Sequence, residues 1–436
     1  MILSIIDLLP SGWTMPLALI IFILTYVCLL LFSKYRAYIA IGSAVIFIGL
    51  GFLPLNEIFT AVDWNVILMI AGTMGLVAIF IESKMPALIA DKIIDKSPNV
   101  QIAILALSIF AGVVSAFIDN VATVLMIAPI AITIAKKLKI SPVPSIIAIA
   151  VASNLEGAAT LVGDTTSILL GGYANMDFID FFWYQGKPGL FFIVQIGLII
   201  STFVLYIIFR NSKQKIEMNE KTIVTDYVPS ILMVGVILSL IMASFIPNKP
   251  DITNGLICVF LMLIGVVHKA LSTKNKNSLK ETVKEIDFFT LLLLAGLFMV
   301  IASISNAGVI DAIASALSSV SGGNVFVIYT IVVWMSVLLS AFIDNIPYVA
   351  TMLPVMGGIA ASIGLGDPTV LYFGLLIGAT LGGNLTPIGA SANITAIGIL
   401  RKEGYEVKTW DFMKIGIPYT LAAVITGYIL VWVIFS

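Results

Sequence analysis

The hexapeptide Ser-Ala-Phe-Ile-Asp-Asn occurs twice in this chain, at Ser115–Asn120 and again at Ser340–Asn345. The two copies are 225 residues apart, about half of the chain length. Each copy lies inside a long apolar stretch, where an ionised aspartate is costly. Because the copies stand at matching places in two halves, they predict a duplicated membrane protein whose polar site is built from both halves, an arrangement typical of transporters.

Long apolar runs recur along the whole chain. Hydrophobic residues make up 60% of it and charged residues only 11%, which no soluble domain of this size requires. Since about 20 apolar residues suffice for a helix to cross the hydrocarbon core, we expect an all-α polytopic membrane protein with about ten crossings. The expected crossings are residues 15–33, 37–53, 64–81, 144–175, 189–209, 228–246, 252–268, 287–305, 368–400 and 415–435.

Two further apolar regions, residues 100–135 and 324–362, carry the repeated hexapeptide at their centres. Their tips contain no glycine, no lysine or arginine, and no hydrophilic loop. Irregular backbone at membrane depth is tolerated only beside protein or a water-filled cavity. We therefore expect both regions to be re-entrant hairpins that enter and leave the membrane on the same side.

The basic residues predict an orientation. With this threading, all but two of the 23 Lys and Arg residues fall on one side of the membrane, and only Lys187 and Lys249 fall on the other. Lys and Arg are enriched in cytoplasmic loops. We therefore expect the Lys-rich side to be cytoplasmic and both termini to lie outside, in a plasma (inner) membrane.

The two halves also match outside the hexapeptide. Asp63–Gly72 aligns with Asp287–Gly296, and Gly157–Gly163 aligns with Gly383–Gly389. An odd number of crossings in each half inverts the second half relative to the first, which is the geometry of alternating-access transporters. The expected division is a first repeat at residues 1–212, a cytoplasmic linker at 213–227 and an inverted second repeat at 228–436.

The hairpin tips hold the first candidate site residues. Asp119 with Asn120, and Asp344 with Asn345, each precede an apolar helical arm. Asp and Asn are favoured helix N-caps, and capping contributes about 1 kcal/mol. A charge at membrane depth costs roughly 2.5–3.5 kcal/mol on the insertion scale. Since Ser or Asn would cap without that cost, we expect both aspartates to be functional; Thr123, in the first arm, joins the candidates.

Glycine and proline interrupt the crossings at 144–175 and 368–400. Exposed carbonyls beside hydroxyl and amide oxygens suit a hard cation. The alternative is a pair of kinked helices whose freed carbonyls bind neighbouring Ser and Thr. The candidate ion-binding residues at the breaks are Gly157, Thr160, Gly163 and Asp164 in the first half, and Gly383, Asn384, Thr386, Pro387, Gly389 and Asn393 in the second.

Glu156 and Asp164 flank the first break and add to the acids expected in the membrane, whereas Gly382 and Ala390 stand at the matching places in the second half. The site should therefore be asymmetric. No Lys, Arg or His lies in the matched segments, so these carboxylates should hold a cation, hold a proton or contact water. Desolvation favours the protonated form of a carboxyl group. Either residue could instead lie in a wet vestibule.

These segments resemble the ion transporter superfamily, which includes arsenite efflux permeases, NhaD-type sodium/proton antiporters, the melanosomal P protein and divalent-anion/sodium symporters. The resemblance extends from about Asp63 to the C-terminus. It is carried by the two hexapeptides, by Gly157–Asp164, by Asp344–Pro354 and by Gly382–Asn393. The last two motifs are most similar to the arsenite permease, NhaD and P protein branch.

The resemblance implies a homodimeric elevator transporter with no cofactor, whose coupling ion is Na⁺ or H⁺. It implies cation sites at Ser115, Asp119 and Asn120 in one half, and at Ser340, Asp344 and Asn345 in the other, each completed by the neighbouring break. The dicarboxylate symporters carry Ser-Asn-Thr at their tips, whereas each tip here is Asp-Asn. Two acids beside the substrate would repel a dicarboxylate, which favours a cation, a proton or a neutral hydroxide.

Several functions remain open at this point. The leading prediction is a sodium/proton-type antiporter rather than an enzyme, and the alternatives are an arsenite or antimonite efflux permease and a sodium- or proton-coupled anion transporter of the citrate or dicarboxylate type. A channel or an intramembrane aspartyl protease would leave the paired tips and breaks unexplained. The expected partners are the lipid bilayer and a small ion or metalloid, with no nucleic acid.

Overall fold

The computed structural model describes residues 12–216, 222–274 and 277–436. The N-terminus and linker residues 217–221, for which locations were predicted, lie outside the described residues. The helices of the first half are α1 (Thr14–Leu31), α2 (Arg36–Leu50), α3 (Ile58–Ala61), α4 (Trp64–Glu82), α5 (Met85–Asp95), α6 (Val100–Ser115), α7 (Asn120–Lys137), α8 (Val143–Glu156), α9 (Thr165–Tyr173) and α10 (Leu190–Ile208).

The second half passes through the same order of elements. Its helices are α11 (Val228–Ser244), α12 (Thr253–Thr273), α13 (Ser278–Glu285), α14 (Phe288–Asn306), α15 (Val309–Ser321), α16 (Val325–Ser340), α17 (Asn345–Ser362), α18 (Thr369–Gly382), α19 (Ser391–Lys402) and α20 (Thr409–Phe435). Among the described residues, the only strands are β1 (Trp183–Tyr184) and β2 (Lys187–Pro188), which pair as a small antiparallel hairpin before α10.

The prediction of an all-α polytopic membrane protein is confirmed. Within the described ranges, seven helices are at least 18 residues long and apolar enough to cross a membrane. Shorter apolar helices occupy the other expected crossings. The two crossings expected to be interrupted are each a pair of helices, α8 with α9 and α18 with α19.

Corresponding helices of the two halves begin with the same type of N-cap side chain. Asp63 and Asp287 accept hydrogen bonds from the first turns of α4 and α14. Asn99 and Asn324 do the same for α6 and α16. A capping side chain satisfies backbone N–H groups that have no partner within the helix. The duplicated sequence therefore fixes where the helices start in both halves.

The packing of the helices follows the same duplication. Helix α2 packs on α14 and α12 packs on α4, while α7 packs on α19 and α17 packs on α9. Replacing each helix by its counterpart in the other half converts the α2–α14 pair into the α12–α4 pair, and the α7–α19 pair into the α17–α9 pair. Helices α8 and α18 lie at the centre, and every residue from Ser145 to Glu156 is buried. The outer helices instead expose apolar side chains, as lipid-facing helices do.

Ion pairs identify the two ends of the bundle. Lys269 pairs with Glu82 and Glu281, which brings the C-terminal ends of α4 and α12 together with α13; we call this the Lys-rich end. At the opposite end, Lys249 pairs with Asp177. Helix α4 runs from the second end to the first.

Candidate functional site

The first hairpin tip connects α6 to α7, and Asp119 caps α7. One carboxylate oxygen, Oδ1, accepts hydrogen bonds from the N–H groups of Val121 at 2.9 Å and Ala122 at 3.2 Å. Among the described residues, Oδ2 has no hydrogen-bond donor. The helix N-terminus favours a negative charge here, and Oδ2 is left to bind a ligand.

The second tip repeats this geometry between α16 and α17. Oδ1 of Asp344 accepts a hydrogen bond from the N–H of Ile346 at 3.0 Å. Its Oδ2 lies 2.8 Å from Nη1 of Arg36 and 3.4 Å from Oγ of Ser391. Asp344 is therefore capped like Asp119, but its second oxygen is already occupied by a cationic side chain.

Each break packs against the tip of its own half through a threonine. The Thr160 hydroxyl donates to the carbonyl of Ala116, and the Thr386 hydroxyl donates to the carbonyl of Ala341. Thr160 corresponds to Thr386 and Ala116 corresponds to Ala341, so the same hydrogen bond is present in both halves. Both tips are therefore held by their neighbouring break.

Gly163 and Gly389 allow these close approaches. A Cβ atom at Gly163 would lie 2.8 Å from the carbonyl oxygen of Gly157 and 3.0 Å from that of Ser115. A Cβ atom at Gly389 would lie 2.6 Å from the carbonyl oxygen of Gly383 and 2.7 Å from that of Ser340. Real Cβ atoms do not come this near to backbone oxygens, so only glycine fits at either position.

Asp164 connects the two halves. It caps α9, where its Oδ1 accepts from the N–H of Thr165 at 2.8 Å and its Oδ2 accepts from the hydroxyl of Thr166 at 2.9 Å. The amide of Asn345, from the other tip, lies 3.4 Å from Oδ2. The first break thus contacts the second hairpin as well as its own.

A buried amide network completes this connection. Asn120 donates to Oδ1 of Asn154 at 2.9 Å, and Asn154 donates to the carbonyl of Thr380 at 2.7 Å. Asn384 donates to the carbonyl of Val151 at 2.9 Å. Buried polar groups that are fully satisfied hold a unique geometry. The tips and breaks of both halves therefore form one polar body, which we call the central body: α6 to α9 and α16 to α19.

A cavity of about 190 Å³ lies beside this body. It contains Asp119, Asp164 and Asp287, and we call it the aspartate cavity. Its apolar wall comes from the last turns of α4, from Met74 to Ile81, so it lies toward the Lys-rich end. Five helix N-termini, those of α7, α9, α14, α17 and α19, border it.

The charge balance of the site differs from the prediction. No basic side chain was expected near the acids, yet Arg36, at the start of α2, pairs with Asp344. The prediction was wrong for this residue because α2 lies outside the matched segments in which a basic partner was sought. Asp119 and Asp164 form no ion pair with any basic residue among those described.

Glu156 does not join the other acids. It faces away from the aspartate cavity, where Oε2 accepts from the amide of Gln195 on α10 at 2.5 Å. Its other oxygen has no partner, and the side chain is fully buried. The prediction that Glu156 binds the ion is therefore not met by this geometry, and the alternative of a wet vestibule does not fit its full burial. At the breaks the acids are asymmetric, because Asp164 lines the aspartate cavity and Ala390 stands at the matching place, but Glu285 and Asp287 of the second half line the cavity as well.

The remaining predicted residues surround the cavity without lining it. Ser115 lies 3.1 Å from the hydroxyl of Ser153, and Ser340 donates to the carbonyl of Ala379 at 2.5 Å. Asn393 donates to the carbonyl of Gly383 at 3.1 Å and keeps an unpartnered Oδ1. The structure places Thr123, Gly157, Thr160, Gly163, Gly383, Asn384, Thr386, Pro387 and Gly389 in the tips, breaks and adjoining helices of the central body.

Other residues of the site were missed. Arg36 and Asp287 contribute charge, and Asn154 and Thr380 join the halves. Asp287 could have been predicted from its alignment with Asp63, because matched aspartates at helix starts near the membrane can face a site. Asn154 is an amide in an otherwise apolar helix, and such residues are candidates for buried networks.

Comparison with known proteins identifies the family. Residues 17–378 match the family described as CitMHS, citrate transporter. A "46 kDa membrane protein" of Mycobacterium leprae is 30% identical over 430 residues, covering 95% of this chain and 98% of that protein. An uncharacterized transporter of Mycobacterium tuberculosis is 31% identical over 431 residues, covering 95% and 97% of the two chains.

More distant relatives agree with the superfamily predicted from the motifs. The P protein of Sus scrofa is 25% identical over 470 residues, covering 86% of this chain and 54% of that protein. Among solved structures, the YdaH transporter of Alcanivorax borkumensis superimposes with a TM-score of 0.57 at 14% identity, covering 84% of each chain. MtrF of Neisseria gonorrhoeae gives a TM-score of 0.55 at 14% identity, covering 94% of this chain and 84% of that one. At this identity the two structures support the fold alone.

Proposed function

The chain belongs to the CitMHS citrate transporter family, and from this premise we propose that it is a secondary active transporter that binds its coupling cation at Asp119 and Asp164. The chain is an integral membrane protein of a transporter family. The coupling cation in this proposal is sodium or a proton, exchanged by alternating access in the manner of an antiporter.

One observation carries the proposal. Asp119 and Asp164 line one cavity and have no basic partner among the described residues, although the second tip acid, Asp344, has one. Buried charges are stable only when they are paired or bound to a cation. Since Glu285 and Asp287 also line this cavity, the site needs positive charge, and either a hard cation or a proton supplies it.

The surrounding oxygens suit such a cation. Asp119 leaves Oδ2 free, and the hydroxyl of Thr165 lines the same cavity. Oxygen ligands of this kind, carboxylate and hydroxyl, favour hard cations over soft ones. Among the described residues, no group of three or more His, Cys, Asp or Glu could hold a metal ion, so the proposed cation is held by fewer side-chain acids.

A second candidate is cation-coupled transport of an organic anion. The family description names citrate, and Arg36 offers a guanidinium that can form bidentate bonds with a carboxylate. The five helix N-termini at the aspartate cavity also favour an anion. In this alternative, the cation at Asp119 and Asp164 screens the acids from the substrate.

Proton flux in everted membrane vesicles separates these candidates. Sodium, lithium, arsenite and citrate are added one at a time, and the internal pH is followed with a fluorescent dye. An antiporter responds to sodium or lithium alone, whereas an anion symporter responds only when citrate is present. A response to arsenite alone, or no response to any of the four, would contradict both candidates.

A further inference from the structure

The two halves make the same internal contacts but different contacts with each other. Gly72 on α4 lies against α12, where an added Cβ atom would be 2.5 Å from the carbonyl carbon of Cys258. The matched Gly296 on α14 lies against α2, where an added Cβ would be 2.7 Å from the carbonyl carbon of Ala40. This equivalence aligns α12 with α2 and makes Cys258 the counterpart of Ala40.

One helical turn earlier, the same alignment makes Asn254 the counterpart of Arg36. Arg36 binds Asp344 on the second hairpin at 2.8 Å. Asn254 binds no hairpin: its Oδ1 is buried without a hydrogen-bond partner, and the residue is only 6% exposed. Since Asp119 is the counterpart of Asp344, the contact that would match Arg36–Asp344 in the other half is Asn254–Asp119. Asp119 also has an oxygen without a hydrogen-bond partner.

A second contact is present in only one half. The C-terminal turn of α9 lies on α4, where an added Cβ atom at Gly172 would be 2.5 Å from Oδ2 of Asp63. The matched residue on α19 is Gly398, and an added Cβ atom there meets open space. By the same matching, Gly398 should contact Asp287 as Gly172 contacts Asp63. Asp287 instead lines the aspartate cavity.

Asn254 lines a cavity of its own at the end opposite the Lys-rich end. This cavity has a volume of about 570 Å³ and also contains Asp63, Asp177 and Asp251; we call it the Asp63 cavity. Burial raises the pKa of Asp63, and the charge of Asp251 adds to that effect. Lys249 also lines the cavity and forms an ion pair with Asp177, so Asp63 and Asp251 are its acids without an ion pair among the described residues. Asn254 adds an amide oxygen that has no hydrogen-bond partner.

We propose that the Asp63 cavity is the second docking position of the central body, in which Asn254 binds Asp119 and Asp344 faces Asp63. This inference rests on the proposed function, because it names the contacts of the opposite transport state. In that state Arg36 releases Asp344, the end of α9 leaves Asp63, and the end of α19 approaches Asp287. The cation then enters the site from the Asp63 cavity.

The geometry and charges fit this exchange. The two cavities border opposite ends of α4, and Asn65 and Met74 are separated by about 14 Å at 1.5 Å per residue. The amide network lets the central body move as one unit. Because Arg36 is cationic and Asn254 is neutral, Asp344 is neutralised in the present state and uncompensated in the other, where the site should bind a cation more tightly.

Cysteine crosslinking tests the proposed contact directly. The background protein carries Cys28→Ser and Cys258→Ala, and a short bifunctional methanethiosulfonate, which spans the length of the lost side chains, is applied in native membranes. It should join Asn254→Cys with Asp119→Cys, and it should join Arg36→Cys with Asp344→Cys in the present state. The matched control is Leu256→Cys with Asp119→Cys, since Leu256 lies on the exposed face of α12 and should not react.

A second measurement keeps both tip aspartates intact. Ala78→Cys reports opening of the aspartate cavity and Ala61→Cys reports opening of the Asp63 cavity, by the rate of maleimide labelling in nanodiscs. Asn254→Arg creates an ion pair with Asp119 in the proposed state. It should speed labelling at Ala61→Cys and slow it at Ala78→Cys, each on the order of tenfold. Arg36→Gln should shift both rates in the same directions, and Thr253→Arg should shift neither.

The outcomes separate the contact from the function. If Arg36→Gln shifts the two labelling rates but Asn254→Arg does not, and the Asn254 and Asp119 cysteines fail to join, the proposed docking position is wrong while alternating access stands. If no variant changes either rate, alternating access itself is contradicted.

Discussion

At the scale of single residues, the aspartates of the two tips and of the first break use Oδ1 in the same way and differ in what Oδ2 contacts. Oδ1 of Asp119, Asp164 and Asp344 caps a helix. The second oxygen accepts from a hydroxyl in one case and from Arg36 in another, and is free in the third. Capping contributes about 1 kcal/mol. This offsets part of the energetic cost of burying each carboxylate, but not all of it.

The first prediction concerns the cation site. Sodium at about 100 times its dissociation constant should stabilise the wild-type protein by about 2.7 kcal/mol. Asp164→Asn retains a capping side chain but loses the charge, so it should lose most of this stabilisation. Thermal unfolding in nanodiscs with and without sodium measures the difference.

Glu156→Gln is the matched control for that experiment. It removes a buried acid only eight residues away, but on the face of α8 that contacts Gln195. Sodium should stabilise this variant as much as the wild type. Equal loss of the sodium effect in Glu156→Gln and Asp164→Asn would contradict the placement of the site.

The second prediction concerns the Arg36–Asp344 pair. Removing one partner of a buried ion pair leaves an uncompensated charge and costs about 3–5 kcal/mol. Since Arg36 retains 18% exposure of its side chain, we expect the lower end of this range for Arg36→Gln and for Asp344→Asn. The double variant should recover at least half of the loss, measured as a double-mutant cycle by urea unfolding. Additive losses would show that the two charges are not coupled.

The sequence predicted the acids of the site better than their surroundings. Asp119 and Asp344 were found because their motif is duplicated, and Asp164 because it follows a break. Glu156 was misplaced because α8 is buried on all sides. Such a helix has no amphipathic pattern to show which side faces the cavity. Arg36 was missed because its partner is 308 residues away in the chain.

At the scale of elements, the site depends on where helices start and stop. The tips are short because Asp119 and Asp344 cap the returning helices immediately. The breaks between α8 and α9 and between α18 and α19 bring their threonines to the carbonyls of the tips. The carbonyl groups freed at the tips therefore accept hydrogen bonds from threonine hydroxyls of the breaks instead of from water.

The third prediction concerns these contacts. Gly163→Ala and Gly389→Ala place a Cβ atom within 3.0 Å of backbone carbonyl oxygens, which forces the tip away from the break. We expect each variant to lose at least tenfold in transport rate in vesicles, since a displacement of about 1 Å can cost about a hundredfold in a positioned site. Gly42→Ala, whose added Cβ atom meets nothing within 4 Å, should retain the wild-type rate.

Most elements were predictable because a helix that crosses a membrane requires a long apolar run. Helices occupy all of the expected crossings and both arms of each expected hairpin. The short helices α3 and α13 were not predicted. They precede the capping aspartates Asp63 and Asp287, and four to eight residues are too few to give a clear periodic signal.

At the scale of the whole molecule, the duplication produces matched packing with unequal contacts. Helices α2 and α12 occupy matching places in the two halves, yet Arg36 of α2 binds a hairpin residue and its counterpart on α12, Asn254, binds none among the described residues. A duplicated sequence cannot show which of two related states is populated, since both states satisfy the same motif. The unequal contacts, and the cavities that result from them, therefore had to come from the structure.

The fourth prediction concerns orientation. The Lys-rich end should face the cytoplasm, because Lys and Arg are retained in cytoplasmic loops. Trp183→Cys, on the hairpin at the opposite end, should react with a membrane-impermeant maleimide in intact cells. Leu279→Cys, on α13, should react only after the cells are opened. Both side chains are about half exposed, so the reverse pattern would show that the topology is inverted.

The most direct test of the proposed mechanism is flux in proteoliposomes under an imposed sodium gradient, with internal pH and labelled citrate followed together. We expect the gradient to drive proton or citrate movement in wild-type and Glu156→Gln protein. Asp119→Asn and Asp164→Asn should fall to the level of empty liposomes. Wild-type flux in both of these variants would contradict a cation site at Asp119 and Asp164.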